Sequence, residues 1–146
     1  MNLYDWSTKW NIPIEAIADL KMQMGMDGKR DVDPTAVSEA GVSQRVRLEA
    51  AQLNVVLWRN NIGAFTDDSG NFVRYGLAND SSAMNKQIKS SDLIGLRPGG
   101  QFVSREVKAP DWKYTGTARE QAQLRFLQLV LSMGGDAAFV TGRGSF

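Results

Sequence analysis

The run SDLIGLRPGGQFVSREVKAP, Ser91 to Pro110, constrains the fold more than any other stretch of this chain. Two short apolar segments flank Arg97-Pro98-Gly99-Gly100-Gln101, and Pro-Gly-Gly suits a tight connection, so the segments read as paired antiparallel strands. Side chains alternate faces along a strand. Val103, Arg105 and Val107 therefore share one face, and Phe102, Ser104, Glu106 and Lys108 share the other. Folding the first segment back about Gly99 sets Asp92 opposite Glu106, to within one residue of register. Facing carboxylates repel unless a cation lies between them, and Lys108 supplies an ammonium one step along the same face.

A helical period precedes this hairpin. In SEAGVSQRVRLEAAQLNVVLWRN, Ser38 to Asn60, the residues Val42, Val46, Leu53 and Val56 or Leu57 recur at spacings of three and four. Continued through the gap, the stripe places Glu49 on the apolar seam, where a carboxylate is costly unless paired or bound to a cation. A helix packed on the hairpin would bring Glu49 to Asp92 and Glu106, giving three oxygen donors with an ammonium beside them. Each residue alone has a plainer explanation: Asp92 as a strand-entry residue, Glu106 and Lys108 as a solvated pair, Glu49 bridged to Arg45. Their convergence favours a site.

The remaining segments complete an α/β pattern. AFTDD and NFVRYGL form strands around the turn Asp68-Ser69-Gly70-Asn71. Leu77 to Ser90 is polar and reads as a loop, with Asn79 to Lys89 beside the candidate site. Thr117-Ala118-Arg119-Glu120 is a capping box opening a second helix. Gln123, Leu124, Leu127 and Val130 or Leu131 line its packed side, and Gly134-Gly135 ends it. Asp136 to Gly142 is a final buried strand. Helix, strands, helix and strand in that order imply layers around a mixed sheet.

Residues 1–37 read as a separate helical extension to a domain spanning 38–146. Pro13 suits a first helical turn, Ile14, Ile17 and Met24 fall near one face, and Gly25 supplies a stop. Trp6 and Trp10 are expected to pack on that helix, and Met22, Met24 and Met26 to serve as core or helix end. Asp27 to Thr35 is a polar linker whose GKR lacks the GxxxxGK[ST] pattern of a phosphate loop.

Composition narrows the chemistry. The chain has 146 residues and neither His nor Cys. That excludes imidazole and thiolate metal sites and His-dependent nucleophilic catalysis, so any metal held by side chains is held by oxygen, as Mg²⁺, Mn²⁺ or Ca²⁺ would be. Without Cys there is no disulfide framework, which is compatible with a reducing cytoplasm. No segment has the length of a membrane span or the layout of a signal peptide. Residues 1–40 carry four basic and seven acidic side chains, a net −3, whereas residues 41–146 carry thirteen and nine, a net +4. A basic main segment is consistent with a nucleic-acid surface.

Asp92, thirteen intervening residues, then Glu106-Val107-Lys108 resembles the D…ExK signature of the PD-(D/E)XK nuclease superfamily. With RLEAAQ (47–52), LWRNNIGAF (57–65), RYGL (74–77), SSDLIGL (90–96), REVKAP (105–110), EQAQLRFL (120–127) and GGDAAFV (134–140) in order, residues 40–142 look like a VRR-NUC domain of the stand-alone bacteriophage or bacterial type. The resemblance implies an αβββαβ nuclease core and metal-dependent endonucleolytic hydrolysis of DNA phosphodiesters with Mg²⁺ or Mn²⁺. It implies Asp92, Glu106 and the Val107 carbonyl as metal ligands, Glu49 at a second metal or a metal water, and Lys108 at the nucleophile. Gln123 would position water or the scissile phosphate. Ser91 stands where the family usually has Pro. Arg59, Asn60 and Asn61, expected to close the first helix, and Arg74 and Lys113 are candidate DNA contacts. The stand-alone type further implies a homodimer acting on branched DNA as Holliday-junction resolvases do, in a bacterial or phage-infected cytoplasm; the apolar surplus of Trp6, Trp10 and Trp58 fits a dimer contact and core packing equally well. Two alternatives stand beside it: a nuclease-fold DNA-binding module without catalysis, and an interaction protein whose buried charges form a salt-bridge network.

Overall fold

The computed structural model describes residues 3–13, 15–17, 20, 38–142 and 145–146. Helix α1 (Leu3–Lys9) is followed by α2 (Glu39–Gln52), β1 (Val56–Arg59), β2 (Gly63–Thr66) and β3 (Phe72–Tyr75). Then come α3 (Ser82–Gln87), β4 (Leu93–Leu96), β5 (Phe102–Val107), α4 (Ala118–Ser132) and β6 (Asp136–Val140). The expected positions of Ile14 and Met22 to Thr35 lie outside the described residues. In α1 the small Ser7 is buried, whereas Trp6 and Trp10, expected to be packed, are exposed.

The main sheet is mixed, in the order β1-β4-β5-β6, and β2 and β3 form a separate antiparallel pair. β1 and β5 each run antiparallel to β4, while the α4 crossover returns the chain so that β6 lies parallel to β5. The fold is thus α/β as expected, but the sheet takes its strands from β1 and β4 to β6, with the β2–β3 hairpin and α3 inserted between its first two strands.

Two apolar clusters sandwich the sheet. Val42, Val46 and Ala50 of α2 pack with Leu57, Leu93, Val103, Val107 and Val140. Phe126, Leu127 and Val130 of α4 pack with Ala137, and Phe102 and Phe139 lie against them. Residues one apart on a strand belong to opposite clusters, so α2 and α4 cover opposite faces. No Cβ fits at Gly95, where it would stand 1.7 Å from the Val56 carbonyl oxygen, so the β1–β4 contact depends on that glycine.

The helical period from Ser38 does not continue to Asn60. Ser38 caps α2 by accepting from the Gly41 N–H. At the other end Asn54 adopts the left-handed region at φ 59°, its N–H bonds the Ala51 carbonyl, and the Val55 N–H bonds the Ala50 carbonyl. This is a Schellman stop with Asn in place of Gly, and it converts the apolar run after Leu53 from helix into β1. Gly134 and Gly135 end α4 in the same way, as expected, bonding the Leu131 and Val130 carbonyls. The segment expected to be a loop at Leu77 to Ser90 contains α3, capped by the Ser81 hydroxyl accepting from Met84 N–H. α3 has no buried residue, so no apolar stripe betrays it in the sequence.

On the α2 face, Arg105 is buried and donates to the Asp136 carboxylate at 2.8 Å, and Arg97 reaches the same oxygen. Burial pushes the Asp136 carboxyl up, and the two guanidiniums more than offset this, holding it below its usual range. A depressed folded pKa contributes stability that is present above the unfolded value and lost as pH falls through the folded one. Asp136→Asn leaves Arg105 buried without its counter-charge and should cost about 3 kcal/mol at neutral pH. Urea unfolding should show that difference shrinking as the pH drops below 3.8. No helix among the described residues is long and apolar enough to cross a membrane.

Candidate active site

The β4–β5 ladder pairs Leu93 with Arg105, so the next step outward sets Asp92 opposite Glu106, as the Pro-Gly-Gly hairpin predicts. Both strand entries are pinned. Asn60 donates its N–H to the Asp92 carbonyl at 2.8 Å and its side-chain amide to Ser90 and to the Ser91 carbonyl. Ser91, 1% exposed, accepts from the Ser104 hydroxyl at 2.7 Å inside the protein. A proline there would supply no such acceptor. Asp92 is exposed, and its Oδ2 accepts from the Val107 N–H at 2.9 Å. That bond fixes the carboxylate against the far end of β5 and leaves Oδ1 for another partner.

Glu106 lies on the α4 face, 3% exposed. Its Oε1 accepts from Lys108 Nζ at 3.2 Å and from the Gln123 amide, while Lys108 also donates to Gln123 Oε1 at 2.9 Å. The three side chains form a closed triangle around one carboxylate oxygen. Burial, and then the charge of Asp92, push the Glu106 carboxyl from 4.5 up to about 7, against the pull of Lys108 and of Arg119. A carboxyl titrating near neutrality between a carboxylate and an ammonium is the kind of group found at functional sites.

Lys108 is buried behind Glu106, over the rings of Trp112 and Phe139 at 5.6 and 5.8 Å. Trp112 is held in turn by donating to Glu120 Oε1 at 2.9 Å. Glu120 is the acidic half of the capping box: the Thr117 N–H and the hydrogen bonds from Trp112 and Thr115 hold its carboxyl down at about 2 despite burial. The α4 cap therefore also braces the lysine.

Asp92, Glu106 and Gln123 line a cavity of about 360 Å³, as do Arg74, Lys89 and Arg119. Asn60 lines the cavity as well. Arg59, Asn61 and Lys113, also expected to contact DNA, are exposed and outside it. Arg59 is the last residue of β1 and Asn61 lies just beyond it, so neither closes a helix.

Glu49 does not join this group. The buried side of α2 is Gly41, Val42, Val46 and Ala50, which leaves Glu49 half-buried one position off the seam. α2 covers the face of Val103 and Val107, and Glu106 points to the opposite face. Among the described residues no three acidic side chains gather as a metal-holding group. The helical stripe misplaced Glu49 because it was drawn through Leu53 and β1, beyond the Asn54 stop.

The donors that remain suit a hard cation. Asp92 and Glu106 each keep a carboxylate oxygen unused by the hydrogen bonds above, and their mutual repulsion is what a divalent ion would relieve. One or two carboxylates, completed by water, are the usual protein share of a Mg²⁺ site. Comparison of the chain with protein-family models, curated proteins and solved structures gives no match.

Proposed function

We propose that this protein is a divalent-metal-dependent DNA endonuclease of the VRR-NUC type within the PD-(D/E)XK superfamily. One observation carries the reading: Asp92 and Glu106 face each other across an antiparallel pair, with Lys108 and Gln123 bonded to one of them, at the wall of a cavity that also bears cations.

Asp92, Glu106 and the Val107 carbonyl would hold Mg²⁺ or Mn²⁺. A bound ion supplies the Lewis acidity that polarises a phosphoryl oxygen and lowers the pKa of water. The chain's own part is electrostatic and geometric. Gln123 and Lys108 fix the Glu106 carboxylate by engaging Oε1, so its other oxygen keeps one direction. The Val107 N–H does the same for Asp92. The Lys108 ammonium lies close enough to favour the ionised form of Glu106 and to counter negative charge developing on a phosphate held there. Glu49 has no place in this scheme.

Branched DNA is the proposed substrate and a homodimer the proposed assembly. Val56 and Trp58 on β1 and Leu96 on β4 lie exposed on the part of the sheet that α4 leaves open, and their apolar surface supports such a contact. A second reading, an interaction protein with a self-neutralised charge network, draws on the Glu106–Lys108–Gln123 triangle.

Purified protein incubated with four-way junction, flap and linear duplex DNA should cut in Mg²⁺ or Mn²⁺ and not in chelator, and Asp92→Ala should abolish the cutting. Either ion should also raise the thermal midpoint of the wild type and not of Asp92→Ala. Intact DNA together with an unchanged midpoint would leave the charge-network reading.

A further inference from the structure

Three cations, Arg74, Lys89 and Arg119, line the same cavity, and of these Arg119 also acts on the Glu106 carboxyl. Arg74 Nη1 donates to Asn79 Oδ1 at 3.2 Å, Asn85 donates to the same oxygen at 2.9 Å, and Lys89 Nζ donates to Asn85 Oδ1 at 2.5 Å. Asn79 is 2% exposed and fixed by donating to the Gly63 and Tyr75 carbonyls at 2.8 and 2.9 Å. A relay of two neutral amides thus ties a cation from β3 to a cation beyond α3. Arg119, at the first turn of α4, completes the set.

Among the described residues none of the three makes an ion pair. Burial, then Arg119 and Arg74, hold the Lys89 ammonium below its usual range, and among the described residues no carboxylate counters them. Like charges brought together by a fold work against it. A solvated basic face would spread such side chains apart. Here a buried asparagine with four hydrogen bonds holds two of them in place beside a third, which is the arrangement of a preformed anion site.

We propose that Arg74, Lys89 and Arg119, set by the Asn79–Asn85 relay, form an anion subsite that takes a backbone phosphate of the nucleic-acid strand lying across Asp92 and Glu106. The phosphate class follows from the donors: two guanidinium forks and an ammonium, with neutral amides at hand, in a cavity that Asp92 and Glu106 also line. That the phosphate belongs to a strand rests on the endonuclease reading. The subsite itself does not. It makes the cavity two-signed, with acidic residues suited to a metal ion and basic residues suited to the next phosphate along.

The test uses the full chain in chelator, so that metal binding plays no part. Inorganic phosphate should raise the thermal midpoint of the wild type by about 3 °C at tens of millimolar. Lys89→Gln/Arg119→Gln should lose that rise while its anion-free midpoint stays level or increases, because repulsion has been removed. Lys86→Gln, which removes one positive charge from exposed α3 outside the cavity, should keep the rise. The slope of log affinity for single-stranded DNA against log salt should fall by about 1 in the double variant. An equal phosphate response in all three proteins, no response in the wild type, or an unchanged salt slope would overturn the subsite. DNA cutting with an unchanged slope sinks the subsite alone. Phosphate and DNA binding without any metal-dependent cutting sinks the hydrolytic reading alone.

Discussion

Glu106→Gln is expected to raise the thermal midpoint of the metal-free protein at pH 8 by several degrees while abolishing Mg²⁺-dependent cleavage. The Glu106 carboxyl is raised from 4.5 to about 7, by burial first and by Asp92 second. A raised folded pKa means stability that is fully present below the unfolded value and lost as pH rises through the folded one. In chelator the wild type should therefore lose roughly 3 kcal/mol between about pH 4.5 and 8 through this one group. Gln keeps an acceptor for Lys108 and Gln123 and has no charge to set against Asp92, so its curve should be flatter over that window. Thermal scans at intervals of one pH unit decide it. Parallel curves for the two proteins would show that Glu106 is not strained by its surroundings. The same linkage makes metal and proton competitors for Glu106, so the wild type's response to Mg²⁺ should weaken as pH falls below about 7.

A site that costs stability where it is charged is common where function selects the charge. It is also what made the site legible. Alternation along FVSREVK put Glu106 and Lys108 on one face, and Pro98-Gly99-Gly100 set the register that brings Asp92 across, so local rules sufficed. Gln123 was legible because the Thr117–Glu120 box fixes the phase of α4. What stayed hidden depended on partners far along the chain. Arg105 reads as a charged residue on an apolar face until Asp136 arrives beside it on a parallel strand, 31 residues later. The Arg74–Asn79–Asn85–Lys89 relay joins a hairpin to a helix that lacks an apolar stripe, and no periodicity signals it. Asn54 could have been read as a helix stop, since Asn tolerates the left-handed conformation that a Schellman motif requires. Reading it so would have kept Glu49 off the seam and shown β1 as a strand.

Lys108→Met tests whether the ammonium acts or merely fills space. The ammonium lies over the rings of Trp112 and Phe139, and Met is an unbranched apolar chain of similar length that can fill the same space without the charge. Cleavage in Mg²⁺ should fall by about 10²–10³-fold, the usual loss when a charge aimed at a developing anion is removed. The pH profile supplies the sharper readout. Lys108 pulls the Glu106 carboxyl down, so without it that carboxyl climbs further and both metal response and residual cleavage should move to higher pH. Stability should follow the opposite course in chelator. At pH 8 an ionised Glu106 without its ammonium costs about 3 kcal/mol, and at pH 5, where Glu106 is protonated, most of that cost disappears. Adding Glu106→Gln to the Lys108 variant should recover the pH 8 loss, because the carboxylate that needed the ammonium is gone. A lysine that only packs would shift the melting midpoint equally at both pH values and leave the cleavage profile where it was.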